Sequence, residues 1–290
     1  MTDQAAVLRD MVKEGENSGC DDSRTRIIAV GSGKGGVGKT SITVNLGLAL
    51  QQMDKKVLIM DVDLGMANVD IMLGLTPRYN LSHILQGKCS FEDALMEGPD
   101  RLNILPGTSG VEDLVNISYR EVGRLLEACA RMEEEYDIIL LDIGAGVHNS
   151  IINFLMASDE TLVILTPEPT AIMDAYSLVK ILSSRDYGNK VGLIVNQVDS
   201  EKEAEKVGSR MSKVIHQYLD FSIKFQAYIP YDHNVQKAVK KQDPVMTLYP
   251  DCSAGIAINK LACKLIDREE EKEARGMKGF VYRVIGLFNR

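Results

Sequence analysis

The chain has 290 residues, 45% of them apolar and 26% charged, with 41 acidic against 33 basic side chains and no tryptophan. That much apolar surface offsets the entropy of ordering the backbone, so disorder of the whole chain is excluded. A net charge of −8 lacks the phosphate-neutralising field on which polyanion binding draws, and no direct nucleic-acid partner is expected. Cys20, Cys89, Cys129, Cys252 and Cys263 form no C-x-x-C pair, and His83, His148, His216 and His233 stand at no metal-ligand spacing. They read as reduced cytosolic thiols and isolated imidazoles. The first ten residues are polar and mixed in charge, unlike a signal peptide. No apolar run approaches the ~18 residues of a spanning helix.

In chain order, residues 1–25 read as a short helix over about 3–12 followed by a flexible tether. From Arg26 apolar runs of strand length appear: Ile27–Val30, Val57–Met60, Leu102–Leu105, Ile138–Leu141, Thr161–Leu165, Val191–Val195 and Ala227–Ile229. Between them the period becomes helical, over Ser41–Gln52, Ser118–Glu135, Ile172–Ser184, Glu201–Tyr218 and Ala254–Arg268. Unbroken Val, Ile and Leu runs suit strands buried on both faces. Their alternation with helices predicts an α/β fold, a mostly parallel central sheet flanked by helices on both faces, over residues 26–268. Residues 269–290 form a charged linker and a last amphipathic helix. At ~100° per residue Phe280, Val281, Val284, Ile285, Leu287 and Phe288 share an arc of about 160°. Lys278, Arg283 and Arg290 flank it without an acid. Such a stripe reads as an interfacial membrane helix, with a terminal helix docked on the core as the alternative.

The chemistry begins after the first strand. Gly33-Lys34-Gly35-Gly36-Val37-Gly38-Lys39-Thr40 satisfies G-x-x-x-x-G-K-[ST] between a strand and a helix that opens at Ser41. Glycines let backbone N–H groups curl around phosphate oxygens at a helix N-terminus. Lys39 reaches the β- and γ-phosphates, and the Thr40 hydroxyl suits Mg²⁺. Asp61 and Asp63 end the second apolar run with both side chains on one face. Asp142 ends the fourth. Carboxylates at the C-terminal edge of a parallel sheet suit a Mg²⁺–water shell and the alignment of an attacking water. Asn196, in Asn-Gln-Val-Asp after a later strand, departs from the guanine signature and favours ATP over GTP.

The second lysine of the loop, Lys34, makes it resemble the deviant phosphate loop of the MinD/ParA family of dimerising ATPases. That resemblance implies a P-loop ATPase binding ATP/ADP and Mg²⁺. It implies Lys34 contacting phosphates across an ATP-sandwiched homodimer, and with Lys39 and Asp63 serving catalysis. Asp63 matches the residue that aligns the hydrolytic water, and Asp61 the one near the metal. Thr40, Asp61 and Asp142 become the metal set. Gly144-Ala145-Gly146 resembles the second switch loop, with Ile143 departing from the usual Thr or Ser. Asn196, Pro230 and Asp232 match positions bordering adenine.

Three further stretches resemble a narrower group, the flagellar number regulators (FlhG, FleN or YlxH). They are Asp63-Leu64-Gly65-Met66-Ala67-Asn68-Val69-Asp70, Glu168-Pro169-Thr170-Ala171-Ile172-Met173-Asp174-Ala175-Tyr176, and an N-terminal Asp3-Gln4-Ala5-Ala6-Val7-Leu8-Arg9. The last resembles the motif with which that group stimulates FlhF, a GTPase of the signal-recognition-particle type. There Asp3, Gln4, Ala5, Leu8 and Arg9 would bind the partner, and Gln4 would orient water. The group implies regulation of flagellar number and placement, a cytoplasmic protein reversibly at the inner membrane leaflet, and flagellar switch or C-ring proteins as further partners. A MinD-type division regulator and a ParA-type partition ATPase are the rival readings. An iron–sulfur carrier of the same fold lacks its paired cysteines.

Overall fold

The computed structural model describes residues 25–63, 68–107, 119–185, 187–267 and 276–288. An eight-stranded sheet runs in the order β3-β4-β2-β5-β1-β6-β7-β8. Its strands are β1 (Arg26–Ser32), β2 (Val57–Val62), β3 (Met96–Glu97), β4 (Asn103–Leu105), β5 (Ile138–Ala145), β6 (Glu160–Leu165), β7 (Lys190–Val198) and β8 (Lys224–Pro230). Every neighbouring pair is parallel except the edge pair β3–β4. The expectation of a mostly parallel sheet therefore holds. The two-residue β3 was not foreseen, since two residues carry no period.

Helices cover both faces. They are α1 (Lys39–Gln51), α2 (Tyr119–Glu135), α3 (Asn149–Ala157), α4 (Pro169–Ser184), α5 (Glu201–Leu219), α6 (His233–Lys240), α7 (Ser253–Ile266) and α8 (Gly276–Phe288), with short helical turns between. One apolar cluster joins α1, α6 and α7 to one sheet face, and a second joins α2, α3, α4, α5 and α8 to the other. α1 is buried almost all round, from Ile42 to Leu50. A helix apolar on every side belongs inside a protein. Its Gly47 lets it approach the sheet, because a Cβ there would lie 3.2 Å from Ile59. This packing fixes the start of α1 at the C-terminal edge of β1.

The C-terminal stripe departs from the membrane expectation. Phe280, Val281, Val284 and Ile285 are buried in the protein's own core, and Leu287 and Phe288 pack half-buried against it. The Phe154 ring of α3 stacks on Phe280 at 6.3 Å and meets Phe288 edge-on at 6.0 Å. Two of the flanking cations, Lys278 and Arg283, are engaged too, and Arg290 lies outside the described residues. The Lys278 ammonium lies 3.8 Å from Glu133 Oε2, its backbone N–H donates to Oε1 at 2.8 Å, and the Arg283 guanidinium lies 3.4 Å from Asp159 Oδ1. An apolar arc gains the same transfer free energy from a protein groove as from lipid, so the stripe alone left both occupants open. The docked alternative is what the structure contains. No helix among the described residues is long and apolar enough to cross a membrane.

Among the described residues the four cysteines are free thiols, with Cys129 buried, Cys89 and Cys252 partly buried and Cys263 exposed. Cys20 and the partner-binding set Asp3, Gln4, Ala5, Leu8 and Arg9 lie outside the described residues. Truncating Phe280 to Ala removes a buried ring stacked on Phe154. It should lower unfolding stability by about 3 kcal/mol, read from urea denaturation monitored by circular dichroism.

Candidate active site

The predicted phosphate loop connects β1 to α1, with the helix beginning at Lys39. Gly36 and Gly38 have φ of +78° and +89°, a left-handed region that side-chain-bearing residues avoid. Gly38 is held from outside as well. Asn196 Nδ2 donates to the Val37 carbonyl at 2.7 Å, and a Cβ on Gly38 would lie 2.4 Å from that same nitrogen. The amide expected to read adenine therefore props the loop, with its nitrogen committed to the backbone. Gly33 packs on α4, where a Cβ would lie 2.3 Å from the Asp174 carbonyl.

Beneath the loop, β2 and β5 pair in register with Asp61 beside Asp142. Asp142 is fully buried and collects three partners. Thr40 Oγ1 donates to its Oδ2 at 2.7 Å, Thr43 Oγ1 to its Oδ1 at 3.1 Å, and Lys39 Nζ stands 3.5 Å from Oδ1. Burial raises the Asp142 carboxyl against the pull of the Lys39 ammonium and of both hydroxyls. Thr43 was missed in the sequence. It lies one helical turn after Thr40, and that i,i+3 spacing toward a strand-end carboxylate was the available signal.

Asp61 acts on the backbone. Its Oδ1 accepts the Asp63 N–H at 3.0 Å, and its Oδ2 accepts those of Asn68 at 2.9 Å and Val69 at 3.1 Å. Burial pushes its carboxyl up to about 6; the Val69 bond opposes this, neighbouring Asp142 adds to it, and the Asp63 and Asn68 bonds oppose it. Asp63 is half-buried against Gly144, beside β5. Ile143 is fully buried and belongs to the apolar cluster beneath the sheet.

Lys34 folds back on its own chain. Its ammonium bonds Glu168 Oε2 at 2.7 Å and Thr170 Oγ1 at 2.9 Å at the start of α4. Ser41 lies partly buried in the first turn of α1. Pro230 ends β8. Asp232 behind it joins two helices, accepting from Asn234 N at 2.9 Å in α6 and from Ser253 Oγ at 2.7 Å in α7. Its carboxylate, expected near adenine, serves as a cap.

The donor set fits Mg²⁺. Thr40 and Asp142 offer hard oxygens beside a phosphate loop, and Mg²⁺ keeps several waters while using one or two carboxylates and substrate phosphates. Among the described residues no group of three or more Cys, His, Asp and Glu is placed to cage a metal.

Comparison with known proteins places this geometry. The AAA domain family model matches residues 25–189. The antiactivator FleN of Pseudomonas aeruginosa is 37% identical, over 90% of this chain and 93% of its own. The flagellum site-determining protein YlxH of Helicobacter pylori is 30% identical, over 98% and 99%. The septum site-determining protein MinD of Pyrococcus horikoshii, solved with Mg-ADP, superposes with a TM-score of 0.64 at 27% identity, over 83% of this chain and 96% of its own.

Burial raises the Asp232 carboxyl, but bonds from Ser253, Asn234, Cys252 and Ala254 outweigh it and hold it at about 2. A depressed carboxyl stabilises the fold above its unfolded value of 3.8 and loses that contribution as pH falls toward 2. Asp232→Ala should lower the urea midpoint at pH 7, and the gap to the parent protein should close as the pH is taken below about 4.

Proposed function

The chain belongs to the MinD/ParA family of P-loop ATPases, in the branch of FleN and YlxH, and from that membership we propose an ATP-driven switch regulating the number and placement of flagella. The observation that supports it is the joint one of Lys34 inside the phosphate loop and Thr40 bonded to Asp142 at 2.7 Å beneath it. ATP is held by the N–H groups of Gly33 to Thr40 and by the Lys39 ammonium. Thr40 and Asp142 would hold Mg²⁺, which would supply neutralisation of the phosphate charge. Two chains then close face to face. Lys34 leaves Glu168 and reaches the partner's phosphates, and Asp63 aligns the attacking water. Catalysis of this kind is positioning and charge stabilisation.

The membrane reading changes with the docked α8. Its stripe meets lipid only after leaving Phe154, and its cations only after leaving Glu133 and Asp159. Two released helices on one dimer would bind with avidity where one binds weakly. In this reading ATP-dependent closure releases the helix. The segment around Gln4 stimulates FlhF, and flagellar switch proteins receive the assembled dimer.

Solution mass checks the switch. The parent protein should be monomeric with ADP, and Asp63→Ala with ATP should persist as a dimer that floats with anionic vesicles. A monomer in every nucleotide state sinks the switch, and a persistent dimer that stays off the vesicles sinks the membrane arm. A peptide of residues 1–20 should accelerate GTP hydrolysis by FlhF, and its Gln4→Ala form should not. Equal acceleration by both peptides would remove the role given to Gln4.

A further inference from the structure

Asn68 stands just before a helical turn, Val69–Met72. An asparagine there ordinarily accepts an N–H of that turn through its side-chain oxygen. Here it makes no such bond. The turn is capped from across the loop, because Asp61 Oδ2 takes the N–H groups of Asn68 and Val69. The Ile71 carbonyl of the same turn accepts from Gln242 Nε2 at 2.7 Å, which fixes it from a second side.

Relieved of capping, the Asn68 amide turns back toward the strand. Its Nδ2 donates to Asp63 Oδ2 at 3.2 Å. An ionised carboxylate only accepts, so the amide nitrogen is the atom that must face it. Gly144 lies on the other side of this carboxylate. A Cβ there would lie 2.9 Å from Asp63 Oδ1 and 3.2 Å from its Cγ. Gly144 does not have a positive φ, so close approach is what requires a glycine at this position.

We propose that Asn68 is a positioning residue for hydrolysis, orienting the Asp63 carboxylate by an amide donor while Gly144 leaves the space in which that carboxylate lies. The inference rests on the reading of Asp63 as the water-aligning group. It assigns Asn68 an action on the chemical step, exerted through Asp63, with no direct contact to ATP.

Steady-state ATP hydrolysis and the lifetime of the ATP dimer test it, with the thermal midpoint of each variant measured alongside. Asn68→Ala should lower kcat about tenfold, leave the KM for ATP within about twofold, and lengthen the ATP-dimer lifetime. Asn68→Asp should fall further, because it replaces the donor by a second negative charge. A capping role predicts the reverse order, since Asp caps a helix nearly as well as Asn and Ala does not. Gly144→Ala should also lower kcat, by pushing the Asp63 carboxylate away while the Asn68 donor is kept. If Asn68→Asp recovers the parent kcat, or if both Asn68 variants hydrolyse normally while Asp63→Ala is inactive, the inference falls and the reading of Asp63 stands. If Asp63→Ala hydrolyses at the parent rate, both fall.

Discussion

Asp142 is a carboxylate with no exposed surface, placed at the sheet edge by a strand of apolar residues. Burying a charge is costly unless partners compensate it. Here the compensation comes from one helical turn, through Lys39, Thr40 and Thr43. The cluster thereby fixes the first turn of α1 against β5, and with it the loop that curls in front. Removing one partner of a buried ionic cluster typically costs about 3–5 kcal/mol, because the remaining charge is left uncompensated. The residues that would meet Mg²⁺ and the phosphates are therefore also the ones that join sheet to helix.

Asp61 has a second, distinct task. It shares the edge with Asp142, yet its oxygens receive backbone N–H groups from Asp63, Asn68 and Val69. One carboxylate holds the phosphate-loop helix and its neighbour holds the segment that carries Asp63. Burial raises the proton affinity of Asp61, and the neighbouring Asp142 charge adds to it. A divalent cation arriving beside them would relieve that repulsion. Cation binding and the placement of the Asp63 segment thus act on adjoining groups.

The docked α8 alters how the charge distribution reads. As a sequence, the tail looks like a separate basic, apolar foot on an acidic body. In the fold, Lys278 and Arg283 face Glu133 and Asp159, and the aromatic stripe lies on Phe154. The basic excess of the tail is partly met within the molecule. Any attachment to a surface has to compete with contacts already formed.

The local signals were sufficient for the phosphate loop, for Asp61 and Asp63 at the end of β2, and for the parallel sheet. Each depends on residues adjacent in sequence, on a period of two or 3.6, or on a strand running into a turn. Asp142 was expected to end its strand, but β5 continues through Ile143, Gly144 and Ala145. Helices α3 and α6 escaped because nine and eight residues make little more than two turns, too few for a helical period to stand out. The roles of Thr43, Asn196 and Asp232 needed the fold. Asn196 meets Val37 across 159 positions, and Asp232 joins two helices that only packing brings together. A residue type limits what bonds a side chain can make, but its partner is chosen by the tertiary neighbours that reach it first. For the same reason sequence determined that α8 has an apolar stripe, and only the tertiary structure decided that Phe154, on a helix more than a hundred residues earlier, would cover it.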